Sequence, residues 1–155
     1  MLCPWRELLV LAAALTFTST AAAQHIRELG VQAIGTFSDP GLAAAGLYAA
    51  LRTPGRTRIS LSFGAGTSAG KLALRGEVLG HFLLSPEERR GPGFYLAGGV
   101  AGVEGPVDRG YLVLTLGVEQ RPGGQSGWDF ELGVGGGVRV ALGYRWRWFS
   151  GAFRQ

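Results

Sequence analysis

The sequence predicts an all-β fold, an up-and-down barrel of eight antiparallel strands behind an export signal. Three observations predict it. From Gln24 onward no stretch has a convincing helical period. Instead, segments of about ten residues alternate apolar with polar or small positions. Between them lie short links of turn chemistry, too short for anything but antiparallel neighbours. Composition bounds the rest: 155 residues, 46% apolar and 17% charged, suffice for one modest domain. Glycine, at 27 residues, is more than twice its ordinary share of about 7%. It has no Gly-X-Y period, and the apolar content is too high for disorder, so collagen and a flexible linker are excluded.

The first element is the signal. Arg6 precedes the apolar run Leu8 to Leu15, and Ala21-Ala22-Ala23 supplies the small residues of a cleavage site before Gln24. The run is too short for the ~20 residues of a membrane-spanning helix. Residues 1–23 are thus read as a signal peptide and 24–155 as the barrel domain. Cys3 lies in the removed segment, so the mature chain has no cysteine and neither disulfides nor a lipid-bearing cysteine are expected. Cleavage removes one Arg and one Glu and leaves the net charge at +4. The basic residues are dispersed, which gives no support to nucleic-acid binding.

The strands follow in order. Glu28 to Phe37 and Leu42 to Arg52 alternate softly; within the second, LAAAGLYAAL also suits a short helix, and it is read as a strand because an even count closes the sheet. Arg58 to Ala65 sets Ile59, Leu61, Phe63 and Ala65 against Arg58, Ser60, Ser62 and Gly64. Leu72 to Leu84 sets Leu72, Leu74, Val78, Phe82 and Leu84 against Ala73, Arg75, Glu77 and His81. Phe94 to Val103 and Tyr111 to Glu119 come next, the latter with Leu112, Leu114, Leu116 and Val118 on one side. Trp128, Phe130, Leu132 and Val134 then oppose Asp129, Glu131 and Gly133. The last segment, Val138 to Trp148, is the clearest: Val138, Val140, Leu142, Tyr144, Trp146 and Trp148 on one face, Arg139, Ala141, Gly143, Arg145 and Arg147 on the other. The links include Asp39-Pro40-Gly41, Thr53-Pro54-Gly55, Thr67 to Gly70, Ser85 to Pro92, Glu104-Gly105-Pro106, Arg121 to Gly127 and Gly135-Gly136-Gly137.

Alternation alone does not say which face points outward. A soluble barrel with a greasy lumen, lipocalin-like and binding a hydrophobic ligand, has the same period as a membrane barrel with a greasy exterior. Three features favour the membrane. The polar face carries Gly30, Gly46, Gly64, Gly99, Gly117, Gly133 and Gly143, as a narrow lumen requires beside long side chains. The other face is rich in Leu and Val, with Trp128, Tyr144, Trp146 and Trp148 near strand ends, where an interfacial belt belongs. The strands have the ~10 residues a tilted strand needs to cross hydrocarbon.

With signal, eight amphipathic strands and an aromatic last strand in place, the chain resembles the small outer-membrane β-barrels of Gram-negative bacteria, the family that includes the membrane domain of outer membrane protein A. The resemblance covers 24–155 and is architectural. Its most specific part is Gly143-x-x-Trp146-x-Trp148, similar to the glycine-plus-aromatics pattern by which the barrel-assembly machinery recognises a client's last strand. The chain departs from the family pattern in continuing through Ser150 to Gln155, with Phe153 in that tail. It departs again in placing its longest links, Ser85 to Pro92 and Arg121 to Gly127, on the side of the chain termini. The resemblance implies residence in the outer membrane as a monomer in contact with lipid and lipopolysaccharide.

The polar face, if it lines the lumen, holds Glu28, Arg52, Arg58, Lys71, Arg75, Glu77, Glu119, Asp129, Glu131, Arg139, Arg145 and Arg147. Near balance of charge predicts mutual neutralisation, since charges in a narrow lumen lose hydration and persist when paired. The expectation is a structural plug, with a narrow polar path for small solutes as the alternative. An enzyme is not expected. His81 and Glu77 share a strand face about 13 Å apart at ~3.3 Å per residue, too far for a hydrogen bond; Ser60 and Ser62 on the next strand are within reach of either. His81 is read as a network member. Scattered carboxylates with one such histidine make no metal site, the Gly133 to Gly137 run precedes no phosphate-binding helix, and no cofactor is expected.

Overall fold

The computed structural model describes residues 26–53 and 55–149. The signal segment 1–23 with Cys3, residues 24 and 25, Pro54, and the tail 150–155 with Phe153 lie outside the described residues. Eight strands follow one another: β1 (Ile26–Phe37), β2 (Leu42–Arg52), β3 (Thr57–Ser68), β4 (Lys71–Leu83), β5 (Pro92–Glu104), β6 (Arg109–Gln120), β7 (Ser126–Val134) and β8 (Val138–Trp148). Each pairs antiparallel with the next, and β8 returns to β1 along Arg27↔Trp148 to Phe37↔Val138, so the barrel is closed and has no free edge. The expected meander is present, with several strands a few residues longer than their alternation suggested. The last long link is shorter, since β7 already begins at Ser126.

β2 decides against its helical alternative. Its alanines favour a helix locally, but as a strand it hydrogen-bonds along both edges, to β1 and β3, and turns Tyr48 and Ala50 inward while Leu47 and Leu51 face out. Pairing on two sides outweighs a weak propensity.

At one end of the barrel the strands turn tightly; the β3–β4 hairpin has two residues, Ala69 and Gly70, both at positive φ (50° and 72°), the geometry that matches strand twist. The other end gathers the start of β1, the end of β8, the link 53–56 and the two longest links, 84–91 and 121–125. We call these the turn rim and the terminal rim.

The two faces separate cleanly. Leu112, Leu47, Leu114 and Phe63 stand outside at 83%, 71%, 63% and 59% exposure, whereas Arg58, Arg75, Arg139 and Arg145 are among the most buried side chains. The lumen is therefore lined by the arginine-bearing face, the reverse of what a soluble barrel with a greasy interior requires. One lumen wall is apolar: Leu79, Leu83, Tyr95, Ala97, Ala101 and Val113 pack together on β4, β5 and β6. Glycines make room for the large residues. Gly117 pairs across the sheet with Tyr95, and a Cβ there would fall 2.1 Å from the ring.

Candidate functional site: the charge-paired lumen

Ten ion-pair contacts link the inward-facing charges into one network along the barrel. Near the terminal rim, Arg58 on β3 contacts Glu28 (3.4 Å) and Glu119 (3.0 Å), and Arg147 on β8 contacts the same two carboxylates at 3.5 and 2.8 Å. In the middle, Arg145 reaches Asp129 (2.6 Å), Glu131 (3.4 Å) and Glu119 (3.8 Å). Towards the turn rim, Arg139 contacts Glu131 (2.6 Å) and Glu77 (2.8 Å), and Glu77 also holds Arg75 at 2.7 Å. Every carboxylate serves more than one arginine except Asp129. Sharing of this kind offsets the desolvation of charges that a barrel this narrow strips of water.

Tyrosines fill the gaps. The Tyr95 hydroxyl donates to Glu131 Oε1 (2.7 Å) and accepts from Arg145 Nη2 (3.3 Å). The Arg145 guanidinium stacks over the Tyr48 ring at 4.2 Å, and that of Arg58 over Tyr95 at 4.8 Å. The sequence does not mark either tyrosine as a lumen residue, because β2 and β5 alternate weakly; inward parity is the one signal it carries.

His81 sits beside this network. Its Nδ1 lies 3.1 Å from Arg58 Nη2 and its Nε2 lies 2.8 Å from Ser60 Oγ. A guanidinium only donates, so Nδ1 accepts, and the ring proton is assigned to Nε2, which donates to Ser60. In that tautomer His81 is not a base towards the serine. Glu77 engages Arg75 and Arg139 instead of the histidine. No group of three or more metal-ligating side chains occurs among the described residues.

Two of the expected lumen cations behave differently from the rest. Lys71 is exposed: as first residue of β4, directly after the two-residue turn, it stands at the rim, where water hydrates its ammonium. Arg52 is buried but binds backbone carbonyls of two links, Pro122 O at 3.0 Å and Pro86 O. Arg147 adds bonds to Arg121 O and Gly124 O, both 3.3 Å. The links also bind each other, Gly123 N–H donating to Glu88 O (2.9 Å) and Arg121 N–H to Gly91 O (3.2 Å). Links 84–91 and 121–125 thereby form a cap at the terminal rim, clamped from inside by two arginines. At the turn rim a small recess opens between Thr36, Ser68 and Tyr111, with Arg75 among its lining.

The pattern on the last strand is divided between the two faces. Gly143 faces the lumen opposite Asp129, whose Oδ1 would lie 2.5 Å from a Cβ at that position. Trp146 and Trp148 are exposed outside, and Tyr144 stands edge-on to Trp128 and Trp146, both with ring centroids 5.0 Å away.

No protein-family model matches the sequence, and no curated protein matches it. Solved structures do share its fold. The N-terminal β-barrel domain of Pseudomonas aeruginosa OprF superposes with a TM-score of 0.62 at 12% identity, over 78% of this chain and 97% of that one. Neisserial surface protein A gives 0.57 at 9% identity, over 80% of this chain and 97% of the other. The fold is thus that of small eight-stranded barrels, as the sequence predicted.

Proposed function

We propose that the protein is an integral outer-membrane barrel, exported by a cleaved signal, whose role is structural or scaffolding and not enzymatic. One observation carries this reading: a lumen of paired charges inside a wall of exposed Leu, Val, Phe and Trp. A contiguous apolar exterior of this extent belongs in lipid. The fold likeness to the OprF barrel domain supports the location. Outer-membrane lipid and lipopolysaccharide are the surroundings, and the protein works as a monomer. The barrel-assembly machinery is the partner in insertion, reading Gly143, Trp146 and Trp148 on the last strand.

A conducting pore is the less favoured reading, because ion pairs cross the lumen and the cap covers its terminal mouth. The histidine tautomer disfavours an enzyme, since Ser60 has no base. Expression that left the mass of lipid A unchanged is the matching expectation, and a change lost in His81→Ala would reverse it.

The decisive experiment is gel mobility of the mature protein, extracted from a membrane fraction in mild detergent and loaded boiled or unboiled. A heat-dependent shift is expected, because a closed membrane barrel resists the gel detergent until heated. Recovery in the soluble fraction without a shift would overturn the reading.

A further inference from the structure

The two rims differ in charge. Among the described residues the terminal rim exposes Arg27, Arg56, Arg89, Arg90 and Arg121 against Glu87 and Glu88, whereas the turn rim exposes Lys71 and Arg109 against Asp39, Glu104 and Asp108. None of the five arginines makes an ion pair within the described chain, although every carboxylate in the lumen does. Glu88 is partly withdrawn from the balance, since its carboxylate accepts from the backbone N–H groups of Arg90 (3.1 Å) and Gly91 (3.2 Å). These bonds shape the link, on which the Arg89 and Arg90 side chains are exposed.

The same end carries the aromatic belt. Trp128, Trp146 and Trp148 stand on the outer wall towards the terminal rim, with Phe82 and Phe94. Arg27 is outward-facing and pairs across the sheet with Trp148. Indole at the edge of an apolar belt with guanidinium beside it is the arrangement that meets a lipid headgroup: the ring lies at the hydrocarbon boundary and the fork of N–H donors meets phosphate. Arg121, on the neighbouring link, is exposed at the same rim.

We infer that the terminal rim is a docking surface for anionic phospholipid headgroups, whose phosphates the unpaired arginines Arg27, Arg56, Arg89, Arg90 and Arg121 bind from above the tryptophan belt. The inference rests on the membrane-barrel reading. Phospholipid, and not lipopolysaccharide, is taken as the source on the same reading: β1 follows the expected signal segment 1–23 and opens at this rim, so a chain exported by that signal presents the rim to the leaflet it meets first, which is phospholipid.

The test is lipid adduct formation by the folded protein in mild detergent, read by native mass spectrometry with phosphatidylglycerol, phosphatidylcholine or lipid A added in turn. The wild type and the turn-rim variant K71Q/R109Q are expected to retain phosphatidylglycerol several-fold more than phosphatidylcholine. R27Q/R89Q/R90Q is expected to lose that preference. Equal retention of the two phospholipids by the wild type, survival of the preference in the triple variant, or an equal loss in K71Q/R109Q would each overturn the proposal. So would a stronger retention of lipid A that the triple variant abolishes, which would assign the rim to the other leaflet. Heat-dependent gel mobility is measured on every sample: its absence from the wild type sinks the membrane reading itself. Should the triple variant alone lose it, R89Q/R90Q, confined to an exposed link, decides the question in its place.

Discussion

Arg139 on β8 and Glu77 on β4 meet across the full width of the barrel through a two-point contact, Nη2 to Oε2 at 2.8 Å and Nε to Oε1 at 3.1 Å. The strands that carry them are half a circuit apart, so this pair ties opposite walls together. Two parallel charge-assisted hydrogen bonds also fix the orientation of the guanidinium, which leaves its third nitrogen, Nη1, to donate to Glu131.

Replacing Glu77 by Ala removes the carboxylate that Arg139 shares with Arg75 and leaves two buried guanidinium groups short of a partner. A loss of about 3–5 kcal/mol is expected for such a break. Urea unfolding of the detergent-folded barrel reads it as a lower midpoint. A midpoint within error of wild type would mean that water replaces the pair.

Gly117→Ala tests the packing around Tyr95. The added methyl overlaps the ring, so an overpacking cost of about 1–3 kcal/mol is expected. In a Tyr95→Ala background the same change meets no ring and its cost falls. Equal costs in the two backgrounds would show that the ring is not the obstacle.

Leu114→Arg places a charge on the outer wall of β6, where the side chain is 63% exposed. At the depth of the hydrocarbon such a charge costs about 2–4 kcal/mol, and the yield of heat-modifiable protein in the membrane fraction should fall. An undiminished yield would put this face in water.

Arg52→Ala unclamps the cap by removing the donor to Pro86 and Pro122 carbonyls. Faster tryptic cleavage after Arg89 and Arg90 is expected in the folded barrel, with heat-dependent mobility retained. Current across planar bilayers should remain absent in the wild type. Unaltered cleavage kinetics in the variant would show that the links hold each other without the arginine.

Glu88 supplies a pH dependence outside the barrel wall. The N–H groups of Arg90 and Gly91 hold its carboxyl below the ordinary value of 4.5. For a depressed carboxylate the stabilisation is complete above the ordinary value and is lost as pH falls through the lowered one. Amide chemical shifts of Arg90 and Gly91 should therefore titrate together with a midpoint under 4.5. A midpoint at or above that value, or no titration, would contradict the hydrogen bonds.

The alternation in β3, β7 and β8 is written in single residues, and there the reading of faces from sequence agrees with the structure side chain by side chain. A period of two leaves one bit to decide per strand, and a strand with arginines on one parity and tryptophans on the other decides it locally. β2 and β5 are poor in such markers. Their strand character follows from pairing with neighbours on both sides, and for the same reason the sequence does not mark Tyr48 and Tyr95 as inward-facing. Lys71 shows where parity fails: it has the inward register but stands at the rim, and hydration depends on height along the barrel.

Local chemistry along the chain thus determined the strand count, the antiparallel order, the two faces and, Lys71 excepted, the buried charges, because each depends on near neighbours in sequence. Partner choice needed the closed barrel. That Arg139 meets Glu77 and Glu131, that Glu119 serves Arg58 and Arg147, and that Arg52 leaves the carboxylates to clamp two links all depend on strand stagger and on which walls face each other across the lumen. Those distances are set by closure, which brings Arg52 and the Pro122 carbonyl, 70 positions apart, into hydrogen-bonding contact and has no trace in the local pattern.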